Sequence, residues 1–401
     1  MTEHGRGRYS ASPSALGYFY QSRYALLEAL RRLPGGEVVC ISIETLDDVV
    51  FETDGSAVDV LQTKHHINTE ATLTDASPDL WKTLRIWIEG QADKTIPKDA
   101  QFFMVTTALC PDGTAAACLR PEGRDEEKAL RRLAATATTS TNEANGAAYR
   151  AFRSLDDDGR LRLLAAVKVL DASPSIWQLD DQLRQEVFFA VERRHLDSYL
   201  QRLEGWWYGR VLAHLTETTA APILGEELES EAARIRAQFK EENLPIDDDI
   251  MRATVDANGY MDRPFVKQLS LVGVNQNRLF YAIKDYYRAF EQRSRWVRDD
   301  LLYVGELDRY EERLVEEWDR LFQQMRDDLG DDVAEDEMNR AAQELYKWVE
   351  TGAHHSIRSG VTEPAIARGT YQMLADDLRV GWHLEFRERL QTLLAITEVS
   401  S

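Results

Sequence analysis

The chain has 401 residues, 43% of them hydrophobic, and carries 69 acidic against 48 basic side chains for a formal charge of −21. This length and apolar content suit two or three folded domains, while the charge repels a polyanion at long range and excludes a strongly basic, self-sufficient nucleic-acid binder. No run reaches the ~18 apolar residues of a membrane span, and the first thirty residues lack the apolar block and cleavage site of a secretory signal, so no membrane association and a cytoplasmic location are expected.

Chain order begins with "SPSALGYFYQSRYALLEALRRL", where Leu16, Phe19 or Tyr20, Leu26 or Leu27, Leu30 and Leu33 recur at helical spacing after a Ser12 or Ser14 cap. "PGG" ends that helix, and "EVVCISIETLDDVVFE" has the β-branched content of one strand or two closely joined ones. Asp54-Gly55 then predicts a turn, because glycine takes positive φ without penalty, and "SAVDVLQTKHH" returns antiparallel. A second helix opens at Ser77-Pro78, with Leu80, Trp81, Leu84, Trp87 and Ile88 along one face, and "QFFMVTTAL" is a strand ending at Pro111. Helix, strands, helix, strand within 110 residues is a compact α/β core.

Beyond Pro111 the pattern turns helical, with the Ala- and Thr-rich stretch 134–148 expected as an exposed loop. Two or three amphipathic helices are expected over 150–215, including "QLRQEVFFAVERRHLDSYLQRLEGWW", in which Trp206-Trp207-Tyr208 reads as a packing anchor because no basic groove accompanies it. "NLPIDDDI" reads as a connector, and long charged helices follow from residue 263. The expected organisation is therefore an α/β domain with helical extension over 1–220, a connector over 221–260, and a mainly α-helical domain over 261–401. Cys40, Cys110 and Cys118 are odd in number and lack C-x-x-C spacing, so buried thiols are expected in place of a disulfide framework or a thiolate zinc site. His354-His355 carries no assigned catalytic part.

Chemistry concentrates at the end of the third strand. Residues two apart share a face, so Val58, Val60, Gln62 and Lys64 form one row and Ala57, Asp59, Leu61 and Thr63 the other. An unpaired lysine in low dielectric is costly, so Lys64 is expected to meet a carboxylate or a phosphate. Glu44, Asp47 and Asp48 lie on the adjacent segment. A two-residue Asp-Gly loop puts Asp47 across from Gln62, whereas a three-residue loop with a glycine bulge puts Asp48 opposite Val60 and Glu44 opposite Lys64; the hydrophobic pattern slightly favours the first. On one straight strand Glu44 and Asp48 would stand ~13 Å apart at about 3.3 Å per residue, so they share one Mg²⁺ only if the chain bends near Leu46.

The order helix, acid-bearing hairpin, Q-x-K strand, helix, strand resembles the PD-(D/E)xK nuclease core in its glutamine-containing form, a mixed sheet flanked by helices. "GYFYQ", "IETLDDV", "LQTKHH" and "LWKTLRIWIE" resemble the double-stranded DNA endonuclease domain of CD-NTase-associated effectors and of Lamassu-type defence systems. "FVKQLSLVGVNQNRLFYAIKDYYRAFEQRSRWVRDDLL" and "ARGTYQMLADDLRVGWH" resemble C-terminal domains of ABC three-component systems, to which Lamassu belongs. The resemblance covers roughly residues 10–215 and 260–390. It implies Mg²⁺-dependent hydrolysis of DNA phosphodiesters, with Mn²⁺ as a substitute. Asp48, Glu44 and Gln62 would form the metal shell, and Lys64 would orient the attacking water or neutralise the phosphorane oxygens. One of His65 and His66 would face the scissile phosphate. The resemblance further implies a small third subunit and an SMC-like ABC ATPase as partners, docking of residues 260–400 on that ATPase, and a homo-oligomer when active. Arg293 and Arg295 near Trp296 are a candidate docking patch, with a solvated helix face as the plainer reading. A non-catalytic DNA-binding adaptor of the same complex is the alternative, and a stand-alone restriction-type nuclease a third.

Overall fold

The computed structural model describes residues 12–35, 39–53, 56–65, 71–216, 221–330, 333–352 and 355–391. The chain divides into two compact units, Met1–Ile235 and Arg236–Ser401.

In the first unit, helix α1 (Ser12–Arg32) leads into strand β1 (Cys40–Ile43), and β2 (Val49–Thr53) turns back antiparallel to it with Ile43 opposite Val49. The segment read as one strand or two is thus two, joined by a reversal over residues 44–48. Strand β3 (Ser56–Lys64) pairs antiparallel with β2. The expected Asp54-Gly55 turn lies outside the described residues, but Thr53 pairs with Ser56 on either side of it. A bulge then intervenes: Glu52 faces Ala57 while Phe51 faces Asp59, so Val58 is an extra residue on β3. Val50 therefore faces Val60 and Val49 faces Leu61. By that count Asp48 comes level with Gln62, a register that neither loop length alone produces.

Helix α2 (Pro78–Ala92) starts after Ser77, whose side chain makes no capping bond, and buries Leu80, Trp81, Leu84, Trp87 and Ile88 as its spacing predicts. It carries the chain to β4 (Gln101–Thr106), which lies parallel to β3 with Gln62 level with Met104. Helix α3 (Glu126–Thr139) is capped by Asp125 and buries Ala129, Leu133 and Ala137; helices α4 (Gly146–Ser154) and α5 (Asp157–Ala166) follow. Most of the stretch expected as an exposed loop is accordingly helix, since alanine is the best helix former and its small side chains fill one face. Strand β5 (Val167–Leu170) extends the sheet in parallel beside β4. Helices α6 (Gln178–Glu186) and α7 (Leu196–Thr216) come next, then β6 (Ile223–Leu224), antiparallel to β1, and α8 (Gly225–Ala237).

The result is a six-stranded mixed sheet in the order β5-β4-β3-β2-β1-β6. Val50, Val60, Phe102, Met104, Val167 and Val169 share one core with apolar residues of α2 to α5. Helices α1 and α7 meet the sheet elsewhere: Arg32 pairs with Asp59 at 2.9 Å and lies over Phe51, and Ile43 N–H donates to His214 Nε2 at 3.2 Å. Trp207 is fully buried and its Nε1 donates to Ser22 O at 2.8 Å, a packing anchor as expected. Cys110 and Cys118 are buried, Cys40 is half-buried, and all three are free thiols.

The second unit is helical: α9 (Asp248–Met251), α10 (Pro264–Leu271), α11 (Gln276–Arg298), α12 (Glu306–Leu329), α13 (Glu335–Thr351) and α14 (Pro364–Asp376). Its core gathers Phe265, Ile283, Trp296, Leu314, Tyr346 and Trp382. Helices α11 and α14 approach so closely that a Cβ at Gly369 would stand 1.9 Å from Asp285 O. Arg293 and Arg295 do not form a free patch. Arg293 is only 6% exposed and is paired with Glu311, and Arg295 reaches Asp249 at 2.8 Å. In both units no described helix is long and apolar enough to cross a membrane.

Candidate functional site

The β1–β2 reversal supplies the acids. Glu44 N–H donates to Asp48 O at 3.1 Å, closing the reversal and bringing the two residues together as no straight strand would. Glu44 adopts φ 55°, the left-handed region that non-glycine residues enter at a cost of about 1–2 kcal/mol. Strain of this kind concentrates at functional sites.

The adjacent acids part company. Asp47 is 9% exposed; its Oδ2 accepts from Trp87 Nε1 at 2.6 Å and its Oδ1 from Asp48 N–H at 3.0 Å. Burial, and secondarily the Asp48 charge, push its carboxyl up to about 7. Asp48 instead turns toward the end of β3, where its Oδ2 accepts from Thr63 N–H at 2.7 Å and Thr63 Oγ1 at 2.9 Å. Gln21 of α1, 3% exposed, donates through Nε2 to Asp48 O at 2.5 Å. The Glu44 carboxyl stands above its ordinary value, raised by desolvation first and by the Asp48 charge, and opposed by the Gln21 hydrogen bond and the Lys64 and Lys82 charges.

These groups line one cleft of about 450 Å³ bounded by Gly17, Tyr18, Gln21, Glu44, Asp48, Thr63, Lys64, His65 and Lys82. Glu44, Asp48 and Lys64 are thus brought together. Lys64 forms no salt bridge with Glu44, Asp47 or Asp48, so of the two anions expected for it, carboxylate or phosphate, none of these carboxylates is in direct contact, although its charge still acts on Glu44 and Asp47. Gln62 is 3% exposed and is not among the residues lining the cleft, although alternation along β3 puts it on the same side as Lys64. His65 lines the cleft and lies against the Tyr20 ring at 4.8 Å between centroids, whereas His66 falls outside the described residues.

The donor set for a cation is small. Among the described residues no group of three or more His, Cys, Asp or Glu side chains is placed to cage a metal ion. Two carboxylates lining one open cleft, one with Oδ1 unused by any described donor, fit a hard oxygen-seeking cation that keeps most of its waters. Gln21 and Lys82 were missed as site residues. Gln21 stands in "GYFYQ" and Lys82 in "LWKTLRIWIE", but only the fold shows that α1 and α2 wall the same cleft.

No curated protein matches the chain. Among solved structures it is similar to the Cap4 SAVED/CARF-domain containing receptor of Moraxella osloensis, at 13% identity, over 69% of this chain and 68% of that one, with a TM-score of 0.36. Residues 265–390, within the second unit, match the family model of C-terminal domain 7 of the ABC-three component systems.

Proposed function

We propose that the first unit is a metal-dependent endonuclease of the PD-(D/E)xK type that hydrolyses phosphodiester bonds of double-stranded DNA, as the effector subunit of an ABC-three component, Lamassu-type defence complex. The observation that carries this reading is the placement of Glu44, Asp48 and Lys64 around one open cleft at the end of a mixed sheet. Asp48, through Oδ1, and Glu44 would hold Mg²⁺ or Mn²⁺. When bound, the ion supplies Lewis-acid polarisation of a phosphate oxygen. Gln62 adds no charge, so the two acids provide the whole anionic shell and metal affinity without DNA is low.

Thr63 fixes Asp48 through two hydrogen bonds, leaving its other oxygen directed by that anchor. Gln21 holds the reversal from the α1 side. Lys64, unpaired with either acid, is free to neutralise charge that builds on the phosphate oxygens in the transition state. The SMC-like ATPase, the small third subunit and assembly into a homo-oligomer would concentrate this acidic chain on DNA.

The test is plasmid nicking by the purified complex over a Mg²⁺ titration. Cleavage that EDTA abolishes and that Lys64→Ala and Asp48→Asn remove, with folding and assembly intact, supports the enzyme. EDTA-insensitive cleavage sinks it. A second reading, a DNA-binding adaptor without catalysis, draws on the burial of Gln62, which is not among the residues lining the cleft; it predicts that Lys64→Ala leaves defence in cells unchanged.

A further inference from the structure

The proposed chemistry uses one lysine, and the cleft contains two. Lys82 sits one turn into α2, whose opposite face is locked into the core by Leu80, Trp81, Leu84 and Trp87, so its position is set by the helix. It is exposed, and among the described residues no salt bridge or hydrogen bond occupies its amine. Most arginines of the first unit are paired, among them Arg23, Arg31, Arg32, Arg120 and Arg184, whereas its other described lysines, such as Lys94, Lys98 and Lys128, also form no salt bridge; what sets Lys82 apart is that it lines the cleft of Lys64 and the two acids. The facing wall is permissive. Tyr18 is 60% exposed, and a Cβ at Gly17 would meet nothing within 4 Å.

Charge counting gives the occupant. Glu44 and Asp48 together carry two negative charges when ionised, which one divalent ion balances, and Lys64 and Lys82 then leave the cleft with two uncompensated positive charges. A single phosphodiester answers one of them. We propose that Lys82 is a second phosphate-binding position, holding a backbone phosphate of the same DNA strand beside the one that Lys64 engages. The strand would then run between α1 and α2, gripped at two phosphates with the metal site at one of them. Its selectivity is for the polyanionic backbone and carries no base preference, because an ammonium is a point charge without the planar fork that reads base edges.

This inference rests on the nuclease reading, and one experiment separates their failures. Binding of a short fluorescent DNA duplex to the full chain is followed by anisotropy in Ca²⁺ across a salt series, and nicking is followed in Mg²⁺. Lys82→Ala is expected to weaken binding and to make the plot of log affinity against log salt shallower by about 0.9, the signature of one lost phosphate contact. Lys82→Arg is expected to restore the slope. Lys98→Ala, on a separate surface cleft, is the control expected to match the native chain. An unchanged slope in Lys82→Ala, or an equal loss in Lys98→Ala, overturns the second phosphate position, as does a change confined to the Mg²⁺ requirement, which would make Lys82 only a neighbour that tunes Glu44. If the native chain cuts in Mg²⁺ while any of these holds, the nuclease reading stands alone. A native chain that neither binds nor cuts even within the assembled complex takes both down.

Discussion

Replacing Thr63 by valine removes one of the two donors on Asp48 Oδ2 while keeping the β-branched shape that suits a strand. Thr63 is 8% exposed, so water does not replace the lost hydroxyl. A hydrogen bond to a charged acceptor contributes about 1.5–3 kcal/mol, but the Thr63 N–H at 2.7 Å remains in place, so a net loss near the lower end, about 1–2 kcal/mol, is expected. At about 2–4 °C per kcal/mol for a unit of this size, the melting temperature of the first unit should fall by roughly 2–8 °C. The larger effect should be on metal use. Asp48 held by one donor can rotate about its remaining bond, and loss of an outer partner of a ligand typically weakens metal binding about 10–100-fold. The half-saturating Mg²⁺ concentration for plasmid nicking should rise by that factor, with cleavage at saturating metal much less affected, and Thr63→Ser should behave like the native chain. The opposing effect is electronic: a carboxylate with one donor fewer is a stronger base. A Thr63 valine variant whose Mg²⁺ requirement is unchanged or lowered would show that the anchor does not position Asp48 for a cation.

Three further outcomes follow from the same geometry and from the second unit. Asp47 is raised to about 7 from an ordinary carboxyl value near 4, so it binds more protons folded than unfolded between those limits; its contribution to stability is present below pH about 4 and is lost as pH rises toward 7. Chemical denaturation in EDTA should show that decline, at up to about 1.4 kcal/mol per pH unit, and Asp47→Asn should flatten it. A mutant with the native pH profile would refute the assignment. Glu44→Gly should leave stability within about 1 kcal/mol of native, because relief of left-handed strain offsets the entropy of glycine, yet should cut Mg²⁺-dependent nicking as strongly as Glu44→Ala. Gly369→Ala would place a Cβ 1.9 Å from Asp285 O and 2.6 Å from Ala289 Cβ, so scanning calorimetry should find the second unit destabilised by about 3 kcal/mol or more, and a native melting temperature there would contradict the close helix crossing.

What could be read from the chain followed the strength of its periodicity. Helices α1, α2 and α11 to α13 announce themselves through apolar residues three and four apart, and β3 and β4 through continuous apolar runs. Strands β5 and β6 do not, since four and two residues are too short to display a period. The stretch 134–148 was deceptive because threonine and serine signal loops while alanine supports helix, and only packing of Ala137 and Ala148 decides between them. The acids and Lys64 were legible as candidates. Their arrangement was not, because the bulge at Val58 shifts the register, and Val58 is 44% exposed although its sequence neighbours suggest a buried row. Arg293 was misread for a related reason: its partner Glu311 lies on the next helix, and no local pattern records that pairing.

The charge distribution sets how this cleft can be used. Across the first unit the guanidinium groups are spent on carboxylates: Arg23 bridges Asp180 and Glu204, Arg120 holds Asp171, and Arg184 joins Asp180 and Asp197. These pairs stabilise the fold locally and contribute little to the far field, which stays negative at −21. Among the described residues lining the cleft, the lysines able to meet a phosphate are Lys64 and Lys82. Two phosphate contacts correspond to a salt slope of about −1.8, far from the six to ten contacts that give a protein strong nonspecific affinity. Tight engagement of DNA by one such chain would need further contacts from elsewhere, either from a partner's surface or from several copies aligned on one duplex. On the proposed nuclease reading the same weakness would keep the chain from acting on DNA it meets by diffusion, so the acidic surface and the sparsely charged cleft would work in the same direction and make access to the phosphodiester depend on assembly.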